Sequence, residues 1–227
     1  MSEELPQQAT YADDPRTDVG VHVPTGAGSA LDVGCSRGGF GRTLRSRLGK
    51  DARVVGIEAI AEAANAAAAT GAYDEVLTGY YPQVLAGRSE RFEQIYFNDV
   101  LEHILDPWQT LRETHDHLAP GGRVLAAIPS IQYISILKEL IKGRWDYTDA
   151  GTLDRTHVRF FTRATMVEMF TDCGYEVQQC IGLNSIVDAW RSHTGPAAVL
   201  KRRLGPVLRD SQYLQFLIVA RARDSRG

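Results

Sequence analysis

Short apolar runs and segments with helical spacing follow each other along this chain. Runs of strand length occur at 29–33, 53–57, 74–78, 94–97, 123–128, 175–181 and 213–221. Helical spacing is found at 39–48, 60–69, 107–117 and 163–173. This alternation predicts an α/β fold in which helices cover both faces of a doubly wound, mostly parallel seven-stranded sheet. The last two strands are predicted to form an antiparallel pair at one edge of the sheet.

Two segments interrupt the pattern. Residues 1–28 are polar and rich in Pro, Gly and Asp, and they predict an N-terminal arm or cap before a single domain that spans 29–227. Residues 131–160 break the alternation of strands and helices, and they predict an inserted segment that forms a lid where an acceptor molecule would bind. Apolar positions between Ile134 and Ile141 recur at helical spacing, which favours a lid or a homodimer face over a membrane-bound helix.

Composition bounds the class of protein. A chain of 227 residues with 44% hydrophobic content can bury one full core. It has no apolar run long enough for a transmembrane segment and no secretory h-region. The three cysteines form no C-x-x-C pair, which predicts free thiols and a cytoplasmic location.

Charge is unevenly distributed along the chain. The net charge is −3, yet the segment from Arg191 to Gly227 holds eight Lys or Arg residues against two acids. Such a segment could attract an anionic acceptor or a membrane surface, but its charges alternate with apolar residues, which favours a solvated face. No stripe of basic and aromatic residues crosses the chain, so no nucleic-acid partner is expected.

The first chemical signal is a glycine-rich turn between a strand and a helix. Residues 31–40 read LDVGCSRGGF, and the next strand ends in the carboxylate of Glu58. A strand, a glycine turn and an acid that closes the next strand together predict a nucleoside site, with Glu58 accepting the two ribose hydroxyls. Asp32, just before the turn, suits a cationic ligand and would repel a pyrophosphate.

The spacing Asp-x-Gly-x-x-x-Gly resembles motif I of the class I S-adenosylmethionine (SAM)-dependent methyltransferases. The resemblance implies SAM as cofactor, with its adenine near Gly79 and Tyr80 and its methionine end near Asn98 and Asp99. Tyr80 stands where the family often has an acid. The full implied set is Asp32, Gly34, Cys35, Ser36, Gly38, Glu58, Ala59, Gly79, Tyr80, Asn98 and Asp99.

A second cluster follows the fourth strand. If the chain turns helical at Asp99, then Asp99, Glu102 and His103 share one face and form half of a divalent-metal site. Ubiquinone-pathway O-methyltransferases carry E-x-x-E-H at this place. The terminal 2′-O-methyltransferases of small RNAs add a later His, which implies His157 as a further ligand and Mg²⁺ as the ion. The alternative has no metal, with Glu102 packing and His103 bonding locally.

The block GRWDYTDAGTLDRTHVRFFT resembles methyltransferases that neighbour glycosyltransferases in bacterial polysaccharide biosynthesis. This implies O-methylation of a sugar hydroxyl in a glycan, oligosaccharide or glycolipid precursor, with Asp154 orienting His157 as the general base. The aromatic residues Tyr133, Trp145 and Tyr147 of the insertion could stack on a sugar or pack within the lid. Two alternatives stay open: a phenolic, quinone or natural-product acceptor, and a non-catalytic SAM-binding partner subunit.

Overall fold

The protein is described by a computed structural model that covers residues 13–26, 28–191 and 208–223. Seven strands form one sheet in the order β3-β2-β1-β4-β5-β7-β6. The strands are β1 Ser29–Val33, β2 Arg53–Glu58, β3 Glu75–Thr78, β4 Phe92–Asn98, β5 Leu118–Pro129, β6 Tyr175–Ser185 and β7 Tyr213–Ala222. The helices are α1 Thr17–Gly20, α2 Gly39–Leu48, α3 Ala61–Ala69, α4 Pro107–Thr114, α5 Ile134–Ile141, α6 Arg163–Asp172 and α7 Ile186–Arg191. The predicted doubly wound α/β fold is confirmed, and β7 is antiparallel to both β5 and β6.

Local sequence signals account for several helix ends. The side chain of Asp106 caps α4 by accepting from the backbone N–H of Gln109, and Pro107 occupies the first helical turn. Thr162 and Thr165 cap each other reciprocally at the start of α6. Gly174, at φ 86°, ends α6 in the left-handed conformation that glycine adopts without strain.

Two predicted boundaries were wrong. The helix predicted over 107–117 ends at Thr114 and continues as a 3₁₀ turn at His115–His117. Strand β5 then starts at Leu118, so Pro120, Gly121 and Gly122 lie inside its span instead of in a preceding loop. Local turn propensity is outweighed here because Phe92 at the start of β4 pairs with Leu118.

Both faces of the sheet are buried. Leu31, Val33 and Phe97 point to the face covered by α4 and α6, where they join Leu111 and Phe170 in one apolar cluster. Ala30, Val54 and Tyr96 point to the opposite face, against Phe40 and Leu44 of α2. Alternate side chains of each buried parallel strand therefore pack against the helices on opposite faces of the sheet.

The segment 131–160 leaves and rejoins the sheet at one place. Ser130 bridges to Phe161, and the backbone N–H of Ile131 donates to the carbonyl of Phe161 at 2.9 Å. Its helix α5 has no buried residue, and the side chain of Ile141 is 86% exposed. Among the described helices, none is long and apolar enough to cross a bilayer. Residues 1–12 of the predicted arm, and residues 192–207 and 224–227 of the basic C-terminal segment, lie outside the described residues.

Candidate active site

The glycine-rich turn lies at the carboxyl end of β1, between β2 and β4. The N–H groups of Gly34 and Cys35 both donate to the carbonyl of Ile57, at 2.8 and 3.0 Å, which ties the turn to β2. Gly34 has φ 73°, and a Cβ there would lie 2.6 Å from Val100 Cγ2. Gly38 has φ 91°, and a Cβ there would lie 3.1 Å from the Cα of Ala67 in α3. Both glycines are thus required by packing within the protein, in addition to any ligand.

Glu58 closes β2 directly beside this turn. Its Oε2 accepts from the N–H of Ser36 and its Oε1 from the N–H of Ile60, each at 2.9 Å. These two bonds fix the orientation of a carboxylate that is only 8% exposed. Each carboxylate oxygen has a second acceptor direction, so the group can still accept two ribose hydroxyls.

The rim next to Glu58 is formed by Ala59, Gly79 and Tyr80. Thr78 is the register partner of Glu58, and the N–H of Gly79 donates to the carbonyl of Glu58 at 2.9 Å. The Tyr80 side chain is 77% exposed at this rim. Gly79 and Tyr80, which are predicted to flank adenine, therefore lie next to Glu58, the residue predicted to bind the ribose.

Asp32 lies beneath the turn and does not line an open site. Its side chain is 1% exposed, and Oδ2 accepts from the hydroxyl of Tyr73 at 2.6 Å. Cys35, also buried, lies in the same apolar layer. The structure thus places these two predicted cofactor residues behind the backbone of the turn.

Asn98 ends β4 and Asp99 follows it, but the two residues differ in environment. Both amide atoms of Asn98 are buried without a hydrogen-bond partner in the described part of the chain. Such atoms are rare in folded proteins and indicate that a ligand or water satisfies them. Asp99 instead pairs with Arg16 and accepts from Gln215.

The metal half-site of Asp99, Glu102 and His103 was predicted on the condition that the chain turns helical at Asp99, and the structure does not meet that condition. Asp99 has φ 54°, in the left-handed region, and a short 3₁₀ turn spans Leu101–His103. The i, i+3, i+4 geometry that would have placed Asp99 beside Glu102 and His103 therefore does not form. The structure does not bring Asp99 into the predicted metal cluster, because its carboxylate faces the guanidinium of Arg16.

Glu102, His103 and His157 do come together, with one potential ligand atom from each lying within 4.8 Å of the others. Glu102 is 1% exposed, and within the described residues neither of its carboxylate oxygens has a hydrogen-bond partner. Burial, followed by the nearby charge of Asp99, raises the pKa of Glu102 well above its ordinary value. A buried, unsatisfied carboxylate beside two imidazoles is costly unless a ligand compensates it.

Backbone contacts fix the tautomers of both histidines. His157 Nδ1 lies 3.0 Å from the carbonyl of Thr152, and His103 Nδ1 lies 3.2 Å from that of Thr156. Because a carbonyl only accepts, each Nδ1 carries the proton and each Nε2 carries the lone pair. Burial, reinforced by the proximity of His157, lowers the pKa of His103 to about 4, so its ring is uncharged at neutral pH.

The prediction that Asp154 orients His157 was wrong. Asp154 Oδ1 accepts from the N–H and the hydroxyl of Thr156, at 2.8 and 2.7 Å. The Thr156 hydroxyl lies 3.1 Å from His103 Nδ1, so Asp154 supports His103 through Thr156. Burial works to raise the pKa of Asp154, but these bonds from Thr156 bring the pKa below its ordinary value. His157 is oriented by the Thr152 carbonyl.

Sequence reasoning missed Arg16, Tyr73, Gln215 and Asn184. Arg16 is 8% exposed and left-handed at φ 45°, and it contacts Asp18, Asp99 and Gln215. A cavity of about 390 Å³ opens beside this network and is also lined by Asn184. The only sequence signal for Arg16 was a single basic residue within the acidic run that spans 13–18.

Comparisons with known proteins agree with this geometry. The methyltransferase domain family matches residues 5–180. A "Ubiquinone biosynthesis O-methyltransferase" from Ruegeria pomeroyi is 32% identical over 167 residues, which cover 70% of this chain and 64% of that protein. A "2-phytyl-1,4-naphtoquinone methyltransferase" from Thermosynechococcus vestitus is 34% identical over 112 residues, covering 45% of this chain and 46% of that protein.

A solved SAM-dependent methyltransferase from Archaeoglobus fulgidus superposes with a TM-score of 0.67 and covers 91% of both chains at 13% identity, which speaks for the fold alone. This chain spans less than two thirds of the length of the curated relatives it matches. A strand order of 3-2-1-4-5-7-6, a glycine turn closed by an acid on β2 and a family match over most of the sequence lead to one conclusion: the chain belongs to the methyltransferase domain family.

Proposed function

We propose that this protein binds SAM at the carboxyl ends of β1, β2 and β4 and transfers its methyl group to a hydroxyl oxygen. The observation that carries the proposal is the pre-oriented carboxylate of Glu58, which two backbone N–H groups hold at the mouth of the glycine turn. The unsatisfied amide of Asn98 supplies a second polar group at the neighbouring strand end. Preorganised groups of this kind lower the entropic cost of binding a ligand.

Cofactor binding is tested by calorimetry with SAM and its demethylated product, S-adenosylhomocysteine (SAH). Glu58→Gln is expected to weaken both ligands about tenfold or more, because one charged acceptor of the ribose hydroxyls is lost. Glu62→Gln is the matched control, since the Glu62 side chain is 80% exposed and pairs with Arg37 on the surface. No heat from either ligand with the wild-type protein would contradict the proposal.

For the acceptor, we propose a phenolic or hydroquinone hydroxyl on a small molecule. The curated relatives reported above are named for quinone pathways, which supports this class over the sugar hydroxyl suggested by the polysaccharide-linked resemblance.

The acceptor class is tested with labelled SAM and paired panels of catechols, hydroquinones and methyl glycosides. Methyl transfer to the phenols alone supports the proposal, and transfer to the glycosides alone contradicts it in favour of the sugar reading. A protein that binds SAM tightly but methylates neither panel would fit the non-catalytic partner subunit instead.

Within this site we propose that His157 removes the hydroxyl proton. Its Nε2 carries the lone pair, and its ring is held by the Thr152 carbonyl and 3.9 Å from Glu102 Oε1. A general base needs a lone pair with a fixed direction, and this tautomer provides it. Glu102, once ionised, would stabilise the imidazolium that forms.

The same three residues also fit a metal ion. As the alternative use of the His157 Nε2 lone pair, we propose Glu102, His103 and His157 as ligands of that ion, in which case His157 does not act as the base. The two unsatisfied oxygens of Glu102 are the observation that supports this. A bound cation would lower the pKa of a coordinated hydroxyl. Two imidazoles with one carboxylate suit a transition ion such as Zn²⁺, Fe²⁺ or Mn²⁺ better than Mg²⁺, which prefers oxygen ligands.

Metal binding is tested by elemental analysis after dialysis against each ion, and by methyl transfer with and without EDTA. Wild-type protein is expected to retain about one equivalent of a transition ion, and Glu102→Gln is expected to lose it. Glu168→Gln, on the exposed side of α6, is the matched control. Equal turnover with and without EDTA, together with no retained ion, would leave His157 as a base without metal.

A further inference from the structure

A buried hydrogen-bonded pair, Asp32 and Tyr73, lies behind the glycine turn. The hydroxyl of Tyr73 donates to Asp32 Oδ2 at 2.6 Å, and the two residues are 8% and 1% exposed respectively. Tyr73 comes from the connection between α3 and β3, and Asp32 belongs to β1. The bond therefore joins the residue that precedes the turn to a distant part of the chain.

The fold leaves space specifically for the Tyr73 ring. A Cβ at Gly41 of α2 would lie 2.3 Å from the ring, and a Cβ at Gly56 of β2 would lie 3.2 Å from it. A larger residue at Gly41 would force the ring to move, and one at Gly56 would meet Cys35 Sγ at 2.8 Å before it meets the ring. Gly56 is also the register partner of Asp32 on the neighbouring strand. Two glycines on two elements thus hold the hydroxyl in place over the carboxylate.

Few charges face Asp32. Glu58 at the end of β2 and Arg16 of the arm act on it from a distance, and they have opposite signs. The Cys35 thiol and the Tyr96 hydroxyl are its titratable neighbours, and burial raises the pKa of both. Burial raises the pKa of Asp32 to about 7, and the bond from Tyr73 opposes this rise. The Tyr96 hydroxyl is bonded to Gln94 instead of Asp32.

We propose that Tyr73 is a positioning residue that holds Asp32 as an anion behind the cofactor site, so that the site prefers cationic SAM over its neutral product. This inference rests on the proposed SAM binding and extends it to the discrimination between substrate and product. SAM carries a sulfonium charge that SAH lacks, while the ammonium, carboxylate, ribose and adenine are common to both. A negative charge behind the turn therefore attracts SAM more than SAH, and the product is released more readily.

The ratio of the two dissociation constants isolates this effect, because shared contacts cancel. We expect the dissociation constant of SAH divided by that of SAM to rise about tenfold as the pH increases from 5.5 to 8.5. The midpoint of this rise is expected near pH 7, where Asp32 ionises and SAM binding becomes tighter. Tyr73→Phe removes a bond that favours the ionised form. Its midpoint is expected to move upward by about one pH unit.

The experiment is titration calorimetry with SAM and SAH from pH 5.5 to 8.5 on four proteins: the wild type, Tyr73→Phe, Asp32→Asn and Tyr96→Phe. Asp32→Asn should give a ratio that does not change with pH. Tyr96→Phe loses a buried hydroxyl on the strand next to Asp32 and should keep the wild-type midpoint, which separates the proposed role from a general packing effect.

The inference is overturned if SAM and SAH bind with a ratio independent of pH, or if Tyr73→Phe and Tyr96→Phe have the same midpoint. If neither ligand binds the wild-type protein at any pH, the proposed function itself fails. Should Tyr73→Phe not fold, the comparison of wild type with Asp32→Asn still tests whether the ratio depends on Asp32.

Discussion

At the scale of single residues, burial changes what the side chains of the site can do. Asp32, Glu58 and Glu102 are all acids with less than a tenth of their surface exposed, yet only Glu58 has both oxygens satisfied by backbone donors. Asp32 has one hydroxyl partner and Glu102 has none among the described residues. Three buried carboxylates therefore differ in chemistry. Glu58 is an oriented hydrogen-bond acceptor, the charge of Asp32 depends on pH, and Glu102 is a potential metal ligand.

The raised pKa of Asp32 should make stability depend on pH. The pKa is 3.8 when unperturbed and about 7 in the fold, so between these values the folded state binds more protons than the unfolded state. The free energy of unfolding should therefore fall as the pH rises through this window. We expect the wild type to lose about 3 kcal/mol relative to Asp32→Asn between pH 4.5 and 8, measured by urea unfolding without cofactor. Parallel profiles for the two proteins would contradict the raised pKa.

At the scale of elements, the glycine turn follows β1 and contacts both β2 and the segment after β4. Its backbone bonds to β2 through Ile57, and Gly34 contacts Val100 so closely that no Cβ fits. The sequence motif is usually understood through the ligand, but here the protein's own packing also demands the glycines. A change in the turn should therefore affect folding and binding together.

Gly34→Ala and Gly71→Ala form a matched pair that separates backbone strain from steric conflict. Both positions are left-handed, at φ 73° and φ 68°, but a Cβ at Gly71 meets nothing within 4 Å. We expect Gly71→Ala to cost about 1 kcal/mol from conformation alone. Gly34→Ala should cost about 1–3 kcal/mol more because Val100 must move, and SAM binding should be lost. Equal costs in urea unfolding would show that the Val100 contact relaxes freely.

At the scale of the whole molecule, the site is assembled from segments far apart in sequence. Arg16 joins the N-terminal arm to Asp99 after β4 and to Gln215 on β7. The segment 131–160 is attached in a similar way, since the N–H groups of Val158 and Arg159 donate to the carbonyl of Glu102 at 2.9 and 3.0 Å. Both connections converge on the short segment that follows β4.

Removing the Arg16 connection should destabilise the whole fold. Arg16→Gln leaves Asp18 and Asp99 without their shared cation, and we expect a loss of about 2–3 kcal/mol in the free energy of unfolding. Arg42→Gln is the control, because its side chain is 45% exposed and its pair with Asp13 is worth about 0.5 kcal/mol or less. Chemical denaturation of both variants tests this, and a cost below 1 kcal/mol for Arg16→Gln would show that water replaces the network.

The sequence by itself determined the seven strands, the main helices, the doubly wound α/β class and the position of Glu58 beside the glycine turn, whereas the order of the strands came from the structure. These follow from local periodicity and from the rule that carboxyl ends of parallel strands meet at one edge. Tertiary structure alone decided which polar groups share a partner. Asp99 pairs with Arg16 and lies outside the cluster of Glu102 with the two histidines. His157 bonds to the Thr152 carbonyl instead of to Asp154. Tyr73 donates to Asp32. Those choices depend on contacts between residues distant in the chain, and on burial, neither of which a sequence pattern encodes.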